Sequence, residues 1–261
     1  MTSSVAAVPL RGRAILVTRP VHQSETLAGL IRKAGGEPVL FPALAIEAPT
    51  DSAAVKKLLA GLAEFDLAIF VSSNAVEHGL ALLEHRWPAH VSVAAVGEGT
   101  AAAARKHGIE TVAAPVDRAD SESLLAMPQL RDLRGKRVVI FRGEGGRELL
   151  GEQIRGRGAQ LSYAECYRRV RPGTDPCALI ARWEQGGLHA ATVMSSETLE
   201  NLWAMLGERG QQLLRSTPLL MPHANIAERA TRLGLTEVAV TPPGDEGILR
   251  GLTAWFSLQA R

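Results

Sequence analysis

The chain has 261 residues, of which 46% are apolar and 21% charged, so it has the composition of a globular protein with room for two modest cores. Its net charge of +2 is too small for the basic stripe of a nucleic-acid binder, and no nucleic-acid partner is expected. No apolar run reaches the roughly eighteen residues of a membrane span, so no membrane partner is expected either.

The opening MTSSVAAVPLRGR lacks the apolar core of a secretory signal, which makes it a short frayed tail and the cytoplasm the expected compartment. The run AILVT (14–18) is continuous and β-branched, as strands covered on both faces tend to be. SETLAGLIRKAG follows, with Leu27, Leu30 and Ile31 at helical spacing and Gly35 as a stop. EPVLFPALAIEAP (37–49) is an extended, Pro-containing stretch that alternates like an exposed strand. Further buried strands are predicted at LAIFV (67–71), VSVAAV (91–96) and RVVIF (137–141). AQLSYAECYRRVRP (159–172) is a second alternating stretch, and AATVM (190–194) and PLLM (218–221) complete the strands. This β-α-β-α order predicts an α/β fold with two parallel sheets, one per domain, and helices on both faces of each. Tandem domains need one linker. Two extended stretches imply that the chain leaves the first domain, builds the second and returns.

The chain also repeats itself. RGRAILVTRP from Arg11 matches RGKRVVIFRG from Arg134, an offset of 123 residues that pairs Arg19 with Arg142, Leu27 with Leu150, Ile31 with Ile154 and Gly35 with Gly158. The same offset carries Ser72-Ser73 onto Ser195-Ser196, which argues for an internal duplication.

Ligands of open parallel sheets bind beyond the carboxyl ends of the strands, where loops enter helix N-termini. The residues there are Thr18-Arg19-Pro20, Ser72-Ser73-Asn74, Gly97-Glu98-Gly99-Thr100, the run Arg142-Gly143-Glu144-Gly145-Gly146-Arg147, Ser195-Ser196 and Pro222-His223-Ala224-Asn225. Free helix N–H groups with Ser, Thr and Arg suit a polyanionic ligand. Each also has a plainer role: Ser73, Asn74, Ser196 and Thr100 as helix N-caps, Gly143, Gly145 and Gly146 as turn formers, Arg19 and Arg142 as surface charges, and His223 as a cap or solvated loop residue. Gly97-x-Gly99-x-x-Ala102 imitates a dinucleotide fingerprint but lies late in its copy, and no clear acidic residue ends a second strand about twenty positions on. Cys166 and Cys177, eleven residues apart, form no metal-ligand spacing and are expected to be reduced and structural; no metal is expected. From the residues alone, a two-domain α/β protein with an anion-friendly cleft follows. A two-lobed small-anion binding protein and a nucleotide-binding enzyme stay open as alternatives.

LVTRP, FPALAIEAP, FVSSNAVEHGL, VAAVGEGTAAAARKHGIE, VVIFRGEGGRELL and YAECYRRVRP, in this order from about residue 13 to residue 255, together resemble the uroporphyrinogen-III synthase family. The resemblance implies two flavodoxin-like α/β domains of the HemD type joined by a two-stranded connector, with a cleft between them. Domain one combines 1–37 with 172–261, domain two is 50–159, and 38–49 and 160–171 are the connector strands. It implies a cofactor-free cyclising hydro-lyase of tetrapyrrole (heme and siroheme) biosynthesis, whose substrate hydroxymethylbilane carries eight carboxylates. In that chemistry the terminal hydroxyl leaves to give an azafulvenium, ring D attacks through its substituted end, and the spiro intermediate recloses with ring D inverted. The family pattern places a tyrosine general acid in the second linker, where Tyr167 matches and Tyr163 does not. The residues expected to bind this substrate, from their places at the strand ends, are Arg19, Pro20, Ser72, Ser73, Asn74, Gly97, Gly99, Thr100, Arg142, Gly143, Gly145, Gly146, Ser195, Ser196, His223 and Asn225. Pro222-His223-Ala224 departs from the hydroxyl-rich residues of many relatives, which leaves His223 and Asn225 as substitutes there. A monomer is expected, with transient hand-over of substrate from hydroxymethylbilane synthase.

Overall fold

The computed structural model describes residues 9–259 apart from 117, 119 and 147. β1 (Ala14–Val17) is buried at all four positions. α1 (Val21–Lys33) follows Pro20 and buries Ser24, Leu27, Ala28 and Ile31, one stripe at helical spacing. It ends where Gly35 turns the chain at φ 82°, a conformation that costs glycine nothing. β2 (Glu37–Leu40) and β3 (Ala45–Glu47) follow. Next come α2 (Ser52–Ala60), β4 (Leu67–Phe70), α3 (Ser73–Ala81), β5 (Ser92–Ala95), α4 (Glu98–Lys106) and α5 (Ser121–Ala126). β6 (Arg137–Gly143), α6 (Leu149–Gly156) and the long β7 (Gln160–Val170) come after them. The chain closes with α7 (Cys177–Glu184), β8 (Ala190–Thr192), α8 (Ser196–Arg215), β9 (Leu219–Met221), α9 (Ala224–Arg232), β10 (Val238–Val240) and α10 (Asp245–Gln259).

These elements form two compact units, Met1–Ala45 with Val170–Arg261, and Ile46–Arg169. The first unit holds a five-stranded sheet in the order β10-β9-β8-β1-β2, with parallel pairing throughout. Strand alternation sends Ile15 and Val17 to one face, among Leu27, Ile31 and Ile248, and Ala14 and Leu16 to the other, among Trp183, Leu199 and Leu202. The second unit holds a five-stranded sheet in the order β3-β7-β6-β4-β5, in which β7, β6, β4 and β5 run parallel. Ala68, Phe70, Val139 and Phe141 face one core there, and Leu67, Ile69, Val138 and Ile140 face the other. The α/β class and the two parallel sheets expected from the apolar runs are therefore found.

The two extended stretches are sheet strands. β2 pairs with β1 from Glu37 to Leu40, while β7 pairs with β6 from Gln160 to Tyr167. β10 is not among the predicted strands: VAV is three residues long and only partly buried at the sheet's edge, so it leaves no apolar run to detect. α8 departs from helical geometry at Gly207 (φ 60°, ψ −177°), and the Gln211 side-chain amide crosses the break to donate to the Trp203 carbonyl at 2.9 Å.

α3 lies close on its sheet through Gly79, where a Cβ would stand 2.6 Å from Phe141 Cδ1 and 3.5 Å from Cys166 Sγ. Overpacking a core costs about 1–3 kcal/mol, more than the roughly 1 kcal/mol that alanine gains over glycine in a helix. Gly79→Ala is expected to lower stability by about 1 kcal/mol in urea unfolding; an unchanged midpoint would mean that α3 shifts away without cost.

Candidate functional site

In the second unit the carboxyl ends of β4, β6 and β7 bring three of the sequence-derived residues together. Ser72, after β4, is the N-cap of α3: its Oγ accepts from Ala75 N–H at 3.1 Å. The same Oγ lies 3.1 Å from the Tyr167 hydroxyl. Gly143 ends β6 beneath that ring, and a Cβ there would meet Tyr167 Cε2 at 2.7 Å and Cζ at 2.8 Å. Only glycine leaves the slot in which the ring lies.

Tyr167 reaches this place through a β-bulge. The register runs Arg142 to Glu165 and then Gly143 to Tyr167, so Cys166 is an extra residue on β7. Without it, neighbours Cys166 and Tyr167 would face opposite sides of the sheet. With it, both belong to the core that contains Phe70, Val76 and Phe141. The Cys166 thiol points to the carbonyls of Arg142 (3.4 Å) and Ala75 (3.5 Å), and burial pushes its pKa up to about 12. It is a packing group, not a nucleophile. Cys177, at the start of α7, is by contrast exposed.

Arg142 is 7% exposed and engaged with side chains rather than presented at the surface. Its Nε and Nη2 donate to Glu165 Oε1 at 3.1 and 2.9 Å, and Nη2 donates also to Glu148 Oε1 at 2.9 Å. The guanidinium stacks 3.8 Å over the ring of Tyr163, whose hydroxyl donates to Glu148 Oε2 at 3.0 Å. Burial works against the Arg142 charge, yet the hydrogen bonds to Glu165 and Glu148 outweigh it and raise the pKa. Hydrogen bonds from Arg142 and then Tyr163 hold the Glu148 carboxyl below its ordinary range. Nη1 is buried and lacks a hydrogen-bond partner among the described residues. Glu148, Tyr163 and Glu165 escaped sequence reasoning; the signal for the last two lies in the β6–β7 register and for Glu148 in the start of α6, neither of which spacing alone reveals.

The remaining residues of this unit form the first turns of helices. Gly97 is the N-cap of α4, and its carbonyl accepts from Thr100 N–H and Ala101 N–H, both at 3.0 Å. Gly99 and Thr100 stand within that turn, as Ser73 and Asn74 do in α3. The cap is thus Ser72, not Ser73 or Asn74, and Gly97, not Thr100. Gly145 turns at φ 66°, and a Cβ on Gly146 would crowd Arg142 Cδ at 3.3 Å. Glu144 accepts from the backbone N–H and hydroxyl of Thr50. Arg147 lies outside the described residues.

In the first unit, Arg19 forms an ion pair with Asp245 at 2.5 Å, both side chains largely buried (16% and 17% exposed). Asp245 opens α10 and was not foreseen. Pro20 precedes α1 and is buried. Thr18 and Thr192 are fully buried, their hydroxyls donating to the carbonyls of Thr192 and Leu16 at 2.7 and 3.0 Å. Ser195, rather than Ser196, caps α8 by accepting from Thr198 N–H at 3.1 Å. His223 precedes α9 without a side-chain cap bond, and both it and Asn225 are exposed. Among the described residues no group of three or more His, Cys, Asp and Glu side chains could hold a metal ion. No described helix is long and apolar enough to cross a membrane.

A two-unit α/β protein with parallel sheets, carrying hydroxyl, amide and helix N-terminal groups at the carboxyl ends of its strands, is the class that fold and site define. The family model for uroporphyrinogen-III synthase HemD matches residues 25–248. The chain is 35% identical over 244 residues to uroporphyrinogen-III synthase of Salmonella typhimurium, covering 91% of this chain and 99% of that protein. It is 33% identical, with the same coverage, to the enzyme of that name from Escherichia coli. Two solved structures share the fold: a mutant uroporphyrinogen III synthase of the extremely thermophilic bacterium Thermus thermophilus (TM-score 0.63, 20% identity, 95% of this chain and 100% of that one) and uroporphyrinogen-III synthetase of Helicobacter pylori (0.57, 16%, 95% and 100%). The chain belongs to the uroporphyrinogen-III synthase family.

Glu148 has a folded pKa below its unfolded value, so its contribution to stability is present above about pH 4.5 and is lost as pH falls through the folded pKa. Its partner Arg142 supplies much of that effect. Arg142→Met is expected to cost about 1–3 kcal/mol at pH 7, with a smaller difference from the parent near pH 3, read from urea unfolding at both pH values. An equal cost at both would assign the loss to packing against Tyr163.

Proposed function

We propose that this chain closes hydroxymethylbilane into uroporphyrinogen III, with loss of water and inversion of ring D, as a hydro-lyase that needs no cofactor. The observation that carries the reading is the Tyr167–Ser72 hydroxyl pair, 3.1 Å apart at the carboxyl ends of parallel strands, in a member of this family. Tyr167 is the general acid. Its proton leaves with the terminal hydroxyl of the substrate as water, and the azafulvenium so formed is attacked by ring D. The unaided chain closes without inversion, so the protein's main task is to hold the substrate in the spiro-forming shape. Orientation of this kind is worth about 7–11 kcal/mol in favourable intramolecular reactions.

The helix N-termini at Ser72, Gly97 and Ser195 are proposed to receive substrate carboxylates, together with Ser73, Asn74, Gly99, Thr100, Gly145, Gly146, Ser196, His223 and Asn225. Their backbone N–H groups and the positive ends of the helix dipoles support this. Arg142 is also proposed to take part in substrate binding, as are Arg19 and Pro20 at the start of α1. The same reading has the protein act as a cytoplasmic monomer that receives its substrate from hydroxymethylbilane synthase.

Purified protein given hydroxymethylbilane is expected to yield isomer III without additives, resolved by chromatography of the oxidised products; isomer I alone would overturn the assignment. Tyr167→Phe is expected to lower kcat by about a hundredfold, within the range for general acids, while thermal unfolding stays close to the parent's.

A further inference from the structure

Tyr167 is 2% exposed, and among the described residues its hydroxyl has one hydrogen-bond partner, Ser72 Oγ. Ser72 is half-buried, at the mouth of the strand ends. The acid is therefore inside, packed beside the half-buried His78 ring at 5.7 Å, and the hydroxyl it meets belongs to a residue more exposed than itself. We infer that Ser72 is the catalytic residue that touches the substrate, and that it relays the proton of the buried Tyr167 to the departing hydroxyl. This rests on the reading of Tyr167 as the acid.

The step balances as a concerted double transfer. The Tyr167 O–H bond breaks as its proton passes to Ser72 Oγ, while the proton of Ser72 passes to the substrate's terminal oxygen. The C–O bond breaks with its electron pair on that oxygen, and water leaves. Ser72 ends as a neutral hydroxyl and never becomes an alkoxide. The buried tyrosinate is offset by the cationic azafulvenium created in the same event. When ring D has attacked, restoration of the pyrrole releases one proton, which returns through Ser72 to Tyr167.

Three features hold the relay in line. The Ala75 N–H bond to Ser72 Oγ, at 3.1 Å, fixes the hydroxyl rotor at the N-terminus of α3, where the helix dipole eases transient negative charge. The Cys166 thiol, close to the Ala75 carbonyl at 3.5 Å, ties that turn to the strand bearing Tyr167. Gly143 leaves the space for the ring, since a Cβ would stand 3.2 Å from the Tyr167 hydroxyl oxygen and closer still to the ring carbons.

Single-turnover rates with hydroxymethylbilane test the relay in a double-mutant cycle. Tyr167→Phe, Ser72→Gly and the double variant are expected to be slowed to a similar degree, each by about a hundredfold, because both residues serve one path. Glycine is chosen because it caps a helix nearly as well as serine. Ser72→Thr, which keeps the hydroxyl, is expected to retain most of the rate. In mixed light and heavy water the parent's rate is expected to bow with deuterium fraction, the sign of two protons in flight. Losses that multiply in the double variant, or a linear one-proton dependence, overturn the relay and leave Tyr167 as a direct acid. A Ser72→Gly variant with raised KM and unchanged single-turnover rate makes Ser72 a binding residue only. An unchanged rate in Tyr167→Phe overturns the acid reading and the relay with it.

Discussion

One inserted residue in β7 governs the geometry on the second unit's sheet. A strand shows alternate residues to alternate faces, so a regular ladder would send Tyr167 away from Cys166 and away from α3. The extra residue opposite the Arg142–Gly143 step turns Tyr167 back, and the consequences spread from there. The ring needs Gly143, the hydroxyl meets Ser72, and the thiol of the bulged residue lies against the Arg142 carbonyl. α3 can approach closely enough for this because Gly79 lets it rest on Phe141. Two glycines and a bulge thus determine where one hydroxyl pair sits.

Strand ends 123 residues apart in the two units are used differently. Ser72 and Ser195, 123 positions apart, have the same extended backbone and each accepts from the N–H three residues on. Their second partners differ: Ser72 meets Tyr167, and Ser195 meets the Thr198 hydroxyl at 2.8 Å. Arg19 and Arg142 diverge more. Arg19 is bound to one aspartate at the head of α10, whereas Arg142 is sunk between two glutamates and a tyrosine ring. Arginine suits such a place because its planar fork can serve two carboxylates and stack at once.

Much of the fold was legible because burial on both faces writes itself as continuous apolar runs: Ala14–Val17, Leu67–Phe70 and Ala190–Thr192 are buried throughout. β10 was not legible, since an edge strand of three residues carries too little apolar pattern. Helix starts were legible only roughly: the caps fall on Ser72 and Ser195, one residue before the expected Ser73 and Ser196, and on Gly97, three before Thr100. The Ser72–Tyr167 contact was hidden because it depends on a strand register whose bulge no local spacing announces. The partners of Arg142 were hidden because they come from the neighbouring strand and from the start of α6, which the sequence does not pair with it.

The engagement of Arg142 also bears on how a polyanion is met here. A guanidinium that already satisfies Glu148 and Glu165 has little net charge left to offer, even with Nη1 unspent. On the binding residues proposed above, attraction for carboxylates would come largely from neutral donors, the hydroxyls and the N–H groups of helix first turns, which act at hydrogen-bond range and weaken steeply off axis. Such groups discriminate shape more than charge. For a reaction whose outcome turns on which end of one ring attacks, a directional surface is better suited than a strongly cationic one, because it favours one folding of a flexible polyanion over the many that bulk charge would hold equally well.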